Sequence, residues 1–309
     1  MNIMTETMAM TETMAQTVAG AVAPAPYRIT VGLRPLELCG WIEDAHDFEA
    51  QLIEKRRLAD SDDETVAAQE DATPACEELV ALLAEHVLQR FPERYADRSD
   101  PLQRRIEVVA TGDTYAYTGA VKDPMTVAGL LVPEDLCLMR ADERGCYRLI
   151  AASLSFPTRW RLREKMGKTL RDIHAPVPGY AHGIATASDR LLSSLPIAKL
   201  LWRQNWSLLD SPELHQPVRR WSAEGMSVAT IGARMWVRSE RQTLRRLPQS
   251  RDILFTIRIR QATLAHVCEQ PGAARNLLRN LQTMSDATKN YKAIRSIEPV
   301  LVEYLSLYT

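Results

Sequence analysis

The sequence predicts an α+β chain, an antiparallel sheet with helices cupped on one face and further helices flanking it at both ends. Three observations carry this. Apolar residues recur with a period of two between about residues 133 and 261, where EDLCLMR and CYRLIAASLSF form a hairpin around ADERG. There Leu200–Leu209, Ala233–Leu244 and Ile253–Arg260 read as further strands. Helical spacing governs both flanks: Leu79, Leu82, Leu83 and Val87 on one side, ARNLLRNLQTMSD and IEPVLVEYLSL on the other. Finally, 309 residues, 46% of them hydrophobic, can bury one large core or two modest ones.

In order, residues 1 to 25 contain MTETMA twice, at Met4–Ala9 and Met10–Ala15, and are expected to be a disordered leader without the bulk for a core. Residues 26 to 309 are expected to form a single domain. Arg28–Val31 reads as a short strand, and a helix from about Asp44 to Leu58 puts Phe48, Leu52 and Ile53 on one face. The acidic run Asp60–Glu64 reads as a solvated linker. A second helix, about Pro74 to Arg90, ends before Pro92 and carries His86 beside its apolar stripe as a half-buried or surface histidine. After the hairpin come helical pieces at Pro157–Met166, Leu170–His174 and Ala181–Leu195. The tail helices, beginning with ATLAHVCE, are expected to pack on the helices before residue 95.

Composition excludes several classes. A formal net charge of −1 gives no long-range attraction to a polyanion, so neither nucleic acid nor an acidic membrane is an expected partner. Five scattered cysteines without a CxxC pair suit reduced thiols in a cytoplasm. No apolar run spans a bilayer, and no basic-then-apolar signal opens the chain. GxSxG, HExxH and a phosphate-cradling glycine loop are absent from the sequence.

Chemistry concentrates in SLSFPTRWRLREKMGKTLRDIHAPVPGY, from Ser153 to Tyr180. His174 follows Leu170 by four residues and Met166 by eight, closing an apolar stripe, and Pro176 and Pro178 restrict the chain after it. An imidazole so placed is either a metal ligand or a core histidine bonded to a carbonyl. His182 is the rival ligand. Tyr180 either orients a substrate or caps the loop. In Ala233–Leu244, Arg241 shares a face with Met235, Val237, Ser239 and Thr243, so its guanidinium needs a buried anion or a carboxylate such as Asp252. Glu240 points the other way, towards Arg238 or Arg258, or into the site through a bulge. In Leu200–Leu209, Trp202, Gln204 and Trp206 alternate with Arg203, Asn205 and Ser207, and one set alone faces the helices.

Several stretches carry a resemblance: LRPLELCGW, FEAQLIEKRRL, LLVPEDLCLM, the Ala151–Tyr180 run, RQNWSL, VRSERQTLRRLP and ILFTIRI, with looser agreement through NYKAI. Together, from roughly Leu33 to Arg260, they resemble the alpha subunit of haem-dependent oxidative N-demethylase and its relatives. The resemblance implies a PAS-like haem domain, in keeping with the order two strands, short helices, three strands. It implies oxidative demethylation of a small secondary amine such as dimethylamine, using O2 and electrons from a partner reductase. Haem b would sit on this chain, held non-covalently since no CxxCH occurs; FMN, a 2Fe-2S cluster and tetrahydrofolate would belong to reductase and folate-binding partner subunits. The resemblance implies His174 as the axial ligand, with His182 at the place where haem-sensing PAS domains keep theirs. Arg203 and Asn205 would then hold the cofactor, Arg241 would hydrogen-bond O2, and Glu240 and Tyr180 would assist catalysis. The other expectations are a haem-based PAS gas sensor without turnover and a non-catalytic scaffold relative.

Overall fold

The computed structural model describes residues 3–61, 63–218 and 223–309, apart from the side chains of residues 3–11, 63, 182 and 183. Its elements run α1 (Ile3–Gly20), β1 (Arg34–Leu36), α2 (Phe48–Ser61), β2 (Val66–Ala68), α3 (Thr73–Arg90), β3 (Tyr95–Asp97), β4 (Arg105–Val108), β5 (Asp113–Ala116) and α4 (Pro124–Leu131). Then follow β6 (Asp135–Ala141), β7 (Tyr147–Ser153), α5 (Leu170–Ile173), α6 (Ala185–Ser194), β8 (Leu200–Leu209), α7 (Val228–Arg234), β9 (Trp236–Arg246) and β10 (Ile253–Thr263). The chain closes with α8 (Leu264–Cys268), α9 (Ala273–Thr283), α10 (Asp286–Tyr291) and α11 (Glu298–Ser306).

The large sheet has seven strands in the order β1-β8-β9-β10-β6-β7-β2, every pairing antiparallel. β8 carries two tryptophans, β10 is rich in Ile and Thr, and the three strands are long enough to pair along their full lengths, Leu200 to Leu209 against Arg245 to Trp236. A bulge interrupts the β6–β7 hairpin between Leu138 and Met139. Directly opposed residues point to the same face, so Leu201, Leu244, Phe255 and Cys137 line one side. There they meet Leu162, Ile173, Leu192 and Leu195 from the β7–β8 connection. Arg246 fastens α6 to this side: its guanidinium donates to the carbonyls of Leu192, Leu195 at 2.7 Å and Ser193 at 3.3 Å, where the helix ends.

The opposite side is covered twice. At the β6–β7 end, Trp41, Phe48, Leu79 and Leu83 pack on Leu136, Leu138 and Leu254. At the β8–β9 end, Val18, Leu277 and Leu301 pack on Trp206, Leu208 and Val237. Helices therefore stand on both faces, not on one.

Other expectations are corrected. The described part of the expected disordered leader is ordered: Ala15, Val18, Ala21 and Val22 are buried, because small side chains let α1 approach α8 and β10 closely. Asn276 and Asn280 then bind the carbonyls of Val22, Ala23 and Ala25. The tail helices accordingly pack on α1 and the β8–β9 end rather than on α2 and α3. Arg28–Val31 is not a strand; the edge position falls to Arg34–Leu36, where Pro35 is tolerated. Pro157–Met166 makes only a single turn at Leu162–Glu164, its start held by a bridge from Thr158 to Gln216. The small sheet β3-β4-β5 and the helices α4 and α7 have no counterpart in the sequence expectations.

Candidate functional site

The candidate site lies on the face covered by α5 and α6. Thr169 opens α5 by accepting the amide of Asp172 at 3.2 Å, and His174 closes it. From there the chain turns twice: Val177 N–H donates to His174 O at 2.9 Å and Tyr180 N–H to Val177 O at 3.2 Å. Gly179, at φ 75°, supplies the left-handed residue that this second turn requires. A short π-helix, Tyr180–Ile184, then leads into α6.

Within this brace the His174 ring has a defined tautomer. Its Nδ1–H donates to Leu170 O at 2.9 Å, leaving the Nε2 lone pair free of any hydrogen bond among the described residues. Tyr180 stacks on the imidazole with ring centroids 4.6 Å apart and 18° between planes. Burial holds the imidazole pKa below its usual value, the bond to Leu170 works against that, and the positive charge of Arg203 adds to the lowering. The ring is therefore neutral and able to ligate.

Facing it on the sheet, Arg203 opposes Gln242 and Asn205 opposes Glu240 in the β8–β9 register. Arg203 Nε donates to Gln242 Oε1 at 2.7 Å, and its Nη1 reaches the carbonyls of Val31 and Thr30 at 3.3 and 3.4 Å. Glu240 accepts from Thr158 Oγ1 at 3.0 Å, Gln242 Nε2 at 2.8 Å and Asn205 Nδ2 at 3.5 Å. These donors are neutral; the charges of Arg203, Arg238 and Lys292 lie near enough to feel the carboxylate. Arg238, expected as a partner of Glu240, instead donates to the carbonyls of Phe156 and Leu214 at 2.7 and 3.0 Å.

The structure thus brings together His174, Tyr180, Arg203, Asn205 and Glu240. It does not bring Arg241 to them. That side chain points to the opposite face, donating to the carbonyls of Gly40 and Trp41, 3.7 Å from Glu43 and 5.6 Å from the Trp202 ring. The alternation that gathers Glu240 and Gln242 sends Arg241 away. Asp252, expected as its possible carboxylate, pairs with Arg140 at 2.7 Å. His182 lies in the π-helix, and its side chain is outside the described set. Two contributors were missed by sequence reasoning: Gln242, which shares the parity of Glu240, and Thr158, which reaches in from a loop with no periodic signal.

Among the described residues no group of three or more His, Cys, Asp or Glu side chains converges on a metal position. His174 Nε2 is a single, oriented donor, suited to a metal whose other ligands come from elsewhere. Fold and site define an α+β protein with one oriented imidazole, its Nε2 free of described hydrogen bonds, over a mixed polar and apolar sheet face. Residues 32–302 match the family model described as haem-dependent oxidative N-demethylase, alpha subunit-like, and the chain belongs to that family. The family name indicates haem dependence, and "alpha subunit" implies a multi-subunit complex. No helix among the described residues is long and apolar enough to cross a membrane.

Proposed function

We propose that the chain is the haem-bearing subunit of an oxygenase that removes a methyl group from a small secondary amine such as dimethylamine. The observation that carries this is His174, neutral and stacked, with Nδ1 tied to a carbonyl and Nε2 free beside Arg203 and Glu240. The strand order supports a PAS-like core: β7-β6-β10-β9-β8 sets the first hairpin beside the last strand, with the helical crossover on the His174 side.

The residues fit haem b held without a covalent link. A porphyrin brings four ligands of its own and asks the protein for an axial donor, which His174 Nε2 would supply. Ile173, Leu201 and Phe255, all half-buried against the same apolar cluster, offer apolar surface for the ring. Arg203, a guanidinium largely removed from water, would hold a propionate. Bound haem supplies one-electron and O2 chemistry, so that amine, O2, two electrons and two protons yield demethylated amine, formaldehyde and water.

The chain's own residues position this reaction. Tyr180 and the Leu170 carbonyl fix the imidazole. Glu240 binds the substrate ammonium as an ion pair and holds it beside the cofactor. Thr158, Gln242 and Asn205 hold that carboxylate in one orientation, which is the pre-organisation that binding at a small ligand needs. Electrons would come from a partner carrying FMN and a 2Fe-2S cluster, and formaldehyde would pass to tetrahydrofolate on a further partner.

The test is amine-dependent O2 uptake by haem-loaded protein supplied with a reductase. The reading expects formaldehyde in equal amount to the amine consumed. Haem binding with no amine-dependent uptake would leave a gas-binding protein instead; failure to bind haem would leave a scaffold.

A further inference from the structure

Between Asp142 and Lys199, the segment that carries His174, ten Lys and Arg residues stand against five Asp and Glu, in a chain whose net charge is −1. The excess is not spread evenly. The β6–β7 turn, α5 and α6 enclose an open cleft of about 620 Å3 lined by Arg144, Cys146, Arg171, Asp189, Arg190 and Ser193. Arg144, Arg171 and Arg190 are exposed, and none of them makes an ion pair among the described residues. Neighbouring surface arginines behave differently: Arg148 is held by Asp142 at 2.9 Å and Arg163 by Glu64 at 2.9 Å.

The position of the cleft matters as much as its charge. Arg171 lies on α5, whose outer side is exposed at Arg171 and Asp172 while Leu170 and Ile173 turn inward. The Leu170 carbonyl is the acceptor of His174 Nδ1–H at 2.9 Å. The surface of the cleft is therefore one residue and one hydrogen bond from the imidazole. A protein bound there sits close to the cofactor side of the chain.

We infer that this cleft docks an acidic face of the one-electron donor protein that serves the chain. The inference rests on the functional reading above, which requires such a donor. In each encounter the donor is oxidised by one electron and the cofactor of this chain is reduced by one. Complementary charge sets the encounter rate and orientation, and it is screened over a Debye length of about 8 Å at physiological salt.

The test uses the haem-loaded full chain and, as probe, an acidic plant-type ferredoxin bearing a 2Fe-2S cluster. Binding is measured by calorimetry or interferometry for the native chain, for Arg171→Glu with Arg190→Glu, and for Arg28→Glu with Arg275→Glu. The last two arginines are exposed near α1 and α9, across the sheet, and carry the same change in charge. The expected result is binding that weakens with added salt and falls about tenfold or more in the cleft variant alone. Arg144→Glu should give a smaller loss in the same direction. Three results would overturn the inference: no binding of the probe, equal loss in the two double variants, or inorganic phosphate occupying the cleft without competing with ferredoxin. Reduction by a small neutral reductant, followed by absorption, stays the same in every variant if docking is what was lost. If the functional reading fails instead, the haem absorption itself is missing.

Discussion

The two faces of the large sheet hold similar side chains and dispose of them differently. Each has a partly buried imidazole and arginines largely removed from water. Behind α2 and α3, His86 packs against Trp41 with ring centroids 5.1 Å apart and planes tilted by 59°, and its buried Nε2 has no hydrogen-bond partner. Burial, helped by the charges of Arg245 and Arg90, pushes its pKa down to about 4. On that face Arg258 is bound to Asp47 at 2.6 Å and to Gln51, and Arg241 to Gly40 and Trp41. There the arginines are spent on protein groups, and His86 Nε2, though unpartnered, is buried beside Trp41. On the α5–α6 face, His174 has one nitrogen tied and one presented, and Glu240 is oriented by neutral donors. Both histidines leave Nε2 without a described hydrogen bond; what sets His174 apart is the Nδ1–H bond to Leu170 that fixes its tautomer and the polar groups gathered beside it. The contrast predicts that substitutions on the first face cost stability and those on the second cost function.

The largest expected effect is on the first face. Arg258→Ala leaves Asp47 and Gln51 facing a cavity, and a broken buried pair of this kind costs about 3–5 kcal/mol, measured as the loss in urea unfolding free energy. Glu240→Gln, by contrast, should keep the unfolding free energy within about 1 kcal/mol. It should lower kcat/KM for the amine about a hundredfold, roughly 2.7 kcal/mol of transition-state stabilisation. An equal loss of stability in both variants would erase the distinction between the faces.

Arg241→Ala sharpens the comparison, since sequence reasoning placed this residue at the O2 side. The structure predicts a loss of about 1–3 kcal/mol of stability, from carbonyls of Gly40 and Trp41 left unpaired, with the amine KM unchanged. A change in O2 affinity at full stability would return Arg241 to the site.

The smallest effect is a pH slope. The folded chain keeps His86 neutral down to about pH 4, whereas the unfolded chain protonates it near its ordinary value of about 6.5. Between those values the unfolded state binds more protons, so stability is full above that ordinary value and falls as pH drops through the window. Burial lowers the His174 pKa as well and acts with the same sign. His86→Leu, which gives up no hydrogen bond at Nε2, should flatten part of the acid limb in a series of urea midpoints. An unchanged limb would show that His86 is not desolvated.

Much of this was legible in the sequence. The alternation of β8 and β9 placed Arg203 with Asn205 and separated Glu240 from Arg241 before any coordinates, because the period of a strand is strict. It did not say which side Arg241 would join, and the structure turns that side chain to the face away from His174. That choice depends on Gly40 and Trp41, 200 residues away along the chain, and no local pattern encodes so distant a contact. Thr158 was illegible for a similar reason: it acts from a loop anchored by Gln216. The strands Tyr95–Asp97, Arg105–Val108 and Asp113–Ala116 are too short for their periodicity to stand out. Residues 12–22 looked too small to form a core, and their smallness is what lets them fit against the tail helices.

The central claim is that His174 Nε2 is the donor to the cofactor, and the absorption spectrum of the haem-loaded chain tests it most directly. The account predicts a Soret band in the native chain that is lost or displaced in His174→Ala and regained on adding free imidazole. A His174→Ala protein whose Soret band matches the native one, with or without imidazole, would contradict it.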